Sequence, residues 1–151
     1  MRDDLPRLHL LTDVHAMFDT LKIVNETAAF NRWAGFEVVH AEKGEAELRM
    51  PWRDEMGQYS GFLHAGMVAA LLDTVCGFAA ATVSGRVLAS HFSVNCVAPA
   101  VGQVFLACGK VVKAGRKQVF VSGELYADSD GKRQLVATGS AILVPVETPE
   151  G

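Results

Sequence analysis

An α+β fold, in which a curved antiparallel sheet encloses one long helix, is what this sequence predicts, and three observations carry that reading. The first is the run Met67–Ala81, apolar on nearly every side and longer than a strand. The second is that everything after Arg86 has strand character, broken by Pro99, Gly102, Gly115 and the Asp128–Gly131 turn. The third is the alternation within the segment 118–127, where Val119, Val121, Leu125 and Ala127 take one face and Ser122 and Glu124 the other. That is the pattern of a sheet with one face on water. Its apolar face needs a cover, and only the long helix can supply one.

Taken in order, residues 13–33 place Val14, Met17, Phe18, Leu21, Val24, Ala28 and Phe30 near a 3.6-residue period, which predicts one amphipathic helix or two, ending near Gly35. Two short strands follow, Phe36–Ala41 and Glu45–Pro51, around a turn at Glu42–Gly44. Arg53–Leu63 is polar and glycine-bearing, a loop leading into a helix over about Ala65–Thr82, which Ser84 and Gly85 stop. Strands are expected at Val87–Val97, Gln103–Val112, Gln118–Ala127 and Gln134–Val144. The 151 residues suit a single domain, with 1–34 as an N-terminal helical segment and 35–145 as the core.

Composition narrows the function classes. Half the residues are hydrophobic and the formal net charge is −3, so no polyanion-binding surface is indicated and nucleic acid is not an expected partner. Cys76, Cys96 and Cys108 are far apart in apolar surroundings, which suggests neither a disulfide framework nor a metal cluster. His40 and His91 sit in strand patterns with no carboxylate or cysteine partner at ligand spacing, so no metal is expected. Residues 1–6 are acidic and polar where an export signal would be basic and then apolar, and a cytoplasmic location is expected. Residues 67–83 approach the length of a membrane span, but Asp73 at its centre would cost roughly 2.5–3.5 kcal/mol in lipid, so no membrane association is expected.

Asp73 is the residue that demands explanation. An ionised carboxylate withdrawn from water without a partner is expensive or shifts its pKa upward. It is preceded by Gln58, Phe62, Leu63, His64, Ala65 and Gly66. The run Gln58–Asp73, followed by Phe92–Pro99 and by Gly115-Arg116 between strands, resembles the hotdog-fold acyl-CoA thioesterases of the PaaI type, over about Gly35 to Leu143. The His64–Asp73 block is the specific part.

That resemblance implies a sheet wrapped round the central helix and homodimers joined edge to edge by the strand near residues 87–97, often paired again into tetramers. It also implies hydrolysis of acyl-CoA or acyl-carrier thioesters with no metal or cofactor beyond the coenzyme A of the substrate. Carried over by position, Asp73 is the general base or nucleophile, and the backbone N–H of Ala65, with Gly66, receives the thioester oxygen. Gln58 and His64 shape the site. Relatives often have Asn at the position of Gln58 and Gly at that of Ala65, changes that keep an amide and a backbone N–H. Some place a hydroxyl one turn beyond the acid, where this chain has Gly77, or at the start of the next strand, where Ser90 is the candidate.

The chemistry is intelligible from the residues as well. Thioester hydrolysis needs a group that activates water or attacks directly, and preorganised donors for the oxyanion. A helix N-terminus at Ala65 and Gly66 offers free N–H groups and positive dipole. Eight helical residues separate Ala65 from Asp73, about 12 Å at 1.5 Å each, too far for one chain to close the site. Two antiparallel helices about a two-fold axis would bring Asp73 of one copy to residues 58–66 of the other.

Met56, Tyr59, Phe62, Leu63, Met67 and Phe78 are candidates for an acyl pocket. Arg86, Lys110, Lys113, Arg116 and Lys117 supply cations for the phosphates of coenzyme A, with Arg116 and Lys117 in a tight turn after Gly115 as the preferred pair. Two other readings use the same scaffold: a non-catalytic acyl-CoA binding module, and an enoyl-CoA hydratase or dehydratase.

Overall fold

Residues 5–147 are described in the computed structural model of the chain, with side chains described from Val14 onward. Helix α1 (Leu5–Thr27) and the short α2 (Ala29–Ala34) precede strands β1 (Glu37–Glu42) and β2 (Glu45–Pro51). A loop then leads to α3 (Ala65–Ser84), followed by β3 (Val87–Cys96), β4 (Val104–Ala114), β5 (Val119–Ser129) and β6 (Lys132–Pro145). All six strands pair antiparallel in the order β1-β2-β4-β5-β6-β3, so β1 and β3 are the edges.

The N-terminal helix begins earlier than its apolar period suggested and divides at Ala28, whose backbone is extended. Two buried asparagines tie these helices to the sheet. Asn25 Nδ2 donates to the Phe36 carbonyl at 2.7 Å, and Asn31 Nδ2 donates to Asn25 Oδ1 at 3.1 Å. They are the buried polar side chains among the described residues, and each is satisfied, as burial of an amide requires.

The helix α3 lies on one face of the sheet, as the hotdog arrangement requires, and half-burial of its sequence follows from that seat. It is long and apolar enough to cross a membrane by composition. Here Val68, Leu71, Leu72, Val75, Cys76 and Ala79 instead face the strands. The alternation read in β5 holds: Val119, Val121, Leu125 and Ala127 are buried, and Ser122 and Glu124 are exposed. The far face of α3, with Asp73, Thr74, Gly77 and Ala81 half-buried, is not wrapped by strands.

What lets the helix sit so close is a row of glycines in register. Gly109 of β4 pairs with Gly123 of β5, which pairs with Gly139 of β6. A methyl group on Gly109 would stand 2.7 Å from the Val75 carbonyl oxygen, and one on Gly123 would stand 3.0 Å from Leu72 Cδ2 and 3.1 Å from Cys76 Sγ. On Gly139 it would meet the Ser93 carbonyl oxygen at 3.0 Å and Leu72 Cδ1 at 3.3 Å. The strands thus present bare backbone where the helix crosses them, and close packing follows.

The obstacles differ in stiffness, which makes the seat testable. Gly109→Ala runs into helix backbone and is expected to cost about 1–3 kcal/mol through overpacking. At roughly 2–4 °C of melting temperature per kcal/mol for a chain of this size, the loss is visible by calorimetry. Gly123→Ala is tight only against side-chain atoms, Leu72 Cδ2 and Cys76 Sγ, and should cost clearly less. Equal costs would mean that helix backbone does not set the spacing.

Candidate active site

The loop before α3 is held by its own backbone. Single 3₁₀ turns occupy Asp54–Met56 and Tyr59–Gly61. The His64 N–H donates to the Met56 carbonyl at 2.9 Å, the Gln58 N–H to the Phe62 carbonyl at 2.8 Å, and the Leu63 N–H to the Ala100 carbonyl at 2.9 Å. Gln58 also donates from Nε2 to the Leu63 carbonyl at 3.3 Å. So Gln58 braces the loop from which the helix starts.

His64 is the N-cap of α3. Its backbone is extended, with φ −60° and ψ 136°, and its Nδ1 accepts from the Gly66 N–H at 2.8 Å. An accepting Nδ1 carries a lone pair, which places the proton of the neutral imidazole on Nε2. The His64 carbonyl takes the N–H groups of Met67 and Val68. Ala65 is left: its N–H meets no acceptor among the described residues, and it points from the positive end of a 20-residue helix. Of the two donors expected here, Gly66 is engaged by the cap and Ala65 is free.

Asp73 lies two turns further on, in a different environment. It borders a cavity of about 1160 Å³ between α1, the far face of α3 and the start of β3. Its carboxylate makes no hydrogen bond or ion pair among the described residues, and burial alone pushes its pKa above the ordinary 3.8. Ser90 Oγ is not its partner: it donates to the Ile142 carbonyl at 3.2 Å. Cys76, one turn below on the sheet side, has its thiol pushed up to about 12 by burial and then by the Asp73 charge, and it serves as packing.

The single chain brings Gln58, His64, Ala65 and Gly66 together at the helix start and leaves Asp73 apart from them. Leu63 is core, only 2% exposed, and Met56 likewise; neither reaches the cavity, because the loop turns them beneath the helix start. Phe62 and Tyr59 are exposed at the loop surface. Phe78 does line the cavity. Arg116 and Lys117 are exposed at the tip of the β4–β5 hairpin, which the Gly115 N–H closes by donating to the Gln118 carbonyl at 2.8 Å. The cations that border the Asp73 cavity are Arg86 and Lys43.

Several neighbours escaped the sequence reading. Val14, Met17, Leu21 and Val24 of α1 form a cavity wall, although their spacing marked them only as an apolar helix face. Lys43, read only as part of a turn, and Thr74, beside the acid, also border the cavity. His40, read as lacking a carboxylate partner, lies 3.4 Å from Glu42, and the β1–β2 turn brings Glu45 into the same group within 4.8 Å. That cluster is largely exposed, and pairs of this kind contribute little.

The thioesterase superfamily matches the chain over residues 60–133, which contain both the helix start and Asp73. A Saccharolobus solfataricus protein bearing the name of a candidate esterase is 31% identical over 106 residues, covering 69% of this chain and 75% of that one. The crystal structure of a thioesterase family protein from Silicibacter pomeroyi superposes with a TM-score of 0.78 at 32% identity, covering 89% of this chain and 96% of that one. The E. coli PaaI protein, from the phenylacetic acid degradation operon, superposes with a TM-score of 0.81 over 89% and 96% of the two chains. At 17% identity that likeness speaks to the fold alone.

Two outcomes follow from the site itself. Because burial raises the Asp73 pKa in the folded chain, no penalty exists below the unfolded value near 3.8, where both states are protonated; it grows as pH rises through the window up to the folded value. Asp73→Asn should therefore melt higher than wild type at pH 7, with the difference shrinking toward pH 4 in thermal scans. At the helix start, His64→Ala should cost about 0.5–2 kcal/mol in denaturant unfolding, and His64→Asn, which can still cap, most of that less.

Proposed function

The chain belongs to the thioesterase superfamily, and we propose that it hydrolyses acyl-CoA thioesters to the free acid and coenzyme A in a site shared by two subunits. The observation that carries this reading is Asp73, a carboxylate without a partner on the wall of a largely apolar cavity. Leaving a carboxylate half-buried and unpaired costs stability, and a base with raised pKa takes a proton more readily near neutral pH. In the reaction Asp73 either removes a proton from water as the oxygen adds to the thioester carbonyl, or adds directly to give an anhydride that water then opens. In both routes the C–S bond breaks, the thiolate leaves as coenzyme A, and water supplies the oxygen of the acid.

The oxyanion needs a donor that is not already bonded, and the free N–H of Ala65 meets that need. Ala65 and Asp73 of one chain stand about 12 Å apart along the helix, so the reading requires a second copy with its helix antiparallel to the first. Strand β3 supports such pairing. It is a sheet edge, and Leu88 and Phe92 along it are exposed, as is Val97 just beyond its end. An uncovered apolar edge strand is ordinarily a liability, and pairing two of them removes it. A further pairing of dimers is part of the same proposal, as is contact of Arg116 and Lys117 with the nucleotide phosphates. Ser90 is bonded to the Ile142 carbonyl of its own sheet and lies on the edge strand proposed to be shared.

The helix geometry offers a clean test. Ala65 is the first residue of α3, a position where proline is welcome, and the extended backbone of His64 suits a following proline. Ala65→Pro deletes the donor and keeps the helix, and should lower kcat by about 10²–10³ on an acyl-CoA panel read by free-thiol release. Asp73→Asn should abolish turnover. Refolding equal amounts of Ala65→Pro and Asp73→Ala chains together should restore roughly a quarter of wild-type activity, because half the dimers carry one intact site of two. No recovery in that mixture would overturn the shared site.

A further inference from the structure

We infer that the cavity bordered by Asp73 is an acyl-chain pocket walled by the N-terminal helix, and that the acyl group it takes is a flexible aliphatic chain of medium or greater length. This rests on the reading of Asp73 as the reacting carboxylate. The cavity runs from Asp73 along the far face of α3, past Gly77 and Ala81, to Gly85 and Arg86. That path spans about 12 residues of helix, roughly 18 Å at 1.5 Å each. Opposite stand Val14, Met17, Leu21 and Val24 of α1, and Leu88 and Leu143 flank it.

Three observations select the occupant. The volume of about 1160 Å³ exceeds the roughly 300–1,000 Å³ usual for small-molecule pockets. A single aromatic ring would leave most of the wall without contacts, whereas a chain can lie along it. The only carboxylate on the cavity wall among the described residues is Asp73, at one end, and the cations Lys43 and Arg86 border it through residues that are exposed. Long cationic side chains of this kind extend an apolar wall with their methylenes while their charges stay in water.

The third observation is Gly77. A glycine inside a helix is unfavourable relative to alanine, and the strand glycines beneath α3 are explained by close packing. Gly77 is not: a methyl group there would find nothing within 4 Å. It lies one turn beyond Asp73 on the cavity side, so its missing side chain is open space next to the reacting group. The wall of α1 is held in place by Asn25, bonded to the Phe36 carbonyl, and by Asn31, bonded to Asn25, apart from the helix start and from Asp73. Selectivity for the acyl group is thereby assigned to an element that carries none of the proposed catalytic groups.

Binding of S-alkyl-CoA thioethers, which cannot be hydrolysed, tests the pocket independently of turnover. By calorimetry with the full chain, affinity should rise at least about tenfold from butyl to dodecyl, and S-phenethyl-CoA should bind no better than butyl. Gly77→Leu projects an isobutyl group into the open space, where its Cβ meets no atom within 4 Å, and it removes a helix glycine; an unchanged melting temperature checks that the variant folds. Val24→Glu places a charge on the opposite, solvent-accessible wall. Each should reduce the dodecyl-to-butyl affinity ratio at least about tenfold. A flat chain-length series in wild type, a preference for phenethyl, or an unchanged ratio in both variants would overturn the pocket. Hydrolysis of acyl-CoA without chain dependence would leave the thioesterase reading standing and remove this one; chain-dependent binding without any hydrolysis would do the reverse.

Discussion

Close contact between helix and sheet is the constraint on which the rest depends. A row of three glycines, contributed by three neighbouring strands, lets α3 approach until its own carbonyl at Val75 fills the space a side chain would take. Once the helix is seated at that depth its rotation is settled, because Leu72 and Cys76 drop over Gly123 and Leu72 also reaches Gly139. With those side chains turned to the strands, Asp73 and Gly77 must face the other way. The placement of a carboxylate in a cavity is therefore a consequence of where the strands carry no side chains.

Asp73 itself gains nothing from the fold. Burial raises its pKa, no donor compensates it, and the thiol of Cys76 beneath it is held protonated partly by its charge. Natural chains place such local conflicts where chemistry needs them and recover stability elsewhere. Here the recovery lies in the sheet, whose core residues Leu48, Phe105, Leu125 and Val136 are almost wholly buried. The helix start shows the opposite policy. Gln58, His64 and the loop carbonyls are mutually bonded, so the free N–H of Ala65 is presented by a frame with little freedom to move.

Much of this was legible in the order of the residues. The apolar run around Asp73 announced the helix, the alternation in β5 announced a half-buried sheet, and the His64–Asp73 spacing announced both ends of the site. What could not be read were juxtapositions made by pairing. Gly109, Gly123 and Gly139 are separated by a hairpin each, and only the register puts them in line. The cluster of His40 with Glu42 and Glu45 is likewise made by a turn. The loop residues Leu63 and Met56 looked like pocket because they precede the site, yet backbone bonds to Ala100 and His64 draw them into the core. Val14, Met17, Leu21 and Val24 failed as a signal for a simpler reason: an amphipathic face has the same period whether it covers a core or a cavity.

The buried pair Asn25 and Asn31 carries a consequence for divergence. Because Asn25 fastens α1 to the Phe36 carbonyl just ahead of β1 and Asn31 of α2 braces Asn25, while Asp73 and Ala65 stand on the helix that the glycine row seats, the two parts answer to separate structural requirements. Substitutions on α1 are constrained by those amides and by the packing of Leu21 in the core, not by the seat of α3. The cavity wall contributed by α1 can therefore change while Asp73 and the helix start keep their places, and the fold is in this sense modular at its N-terminus.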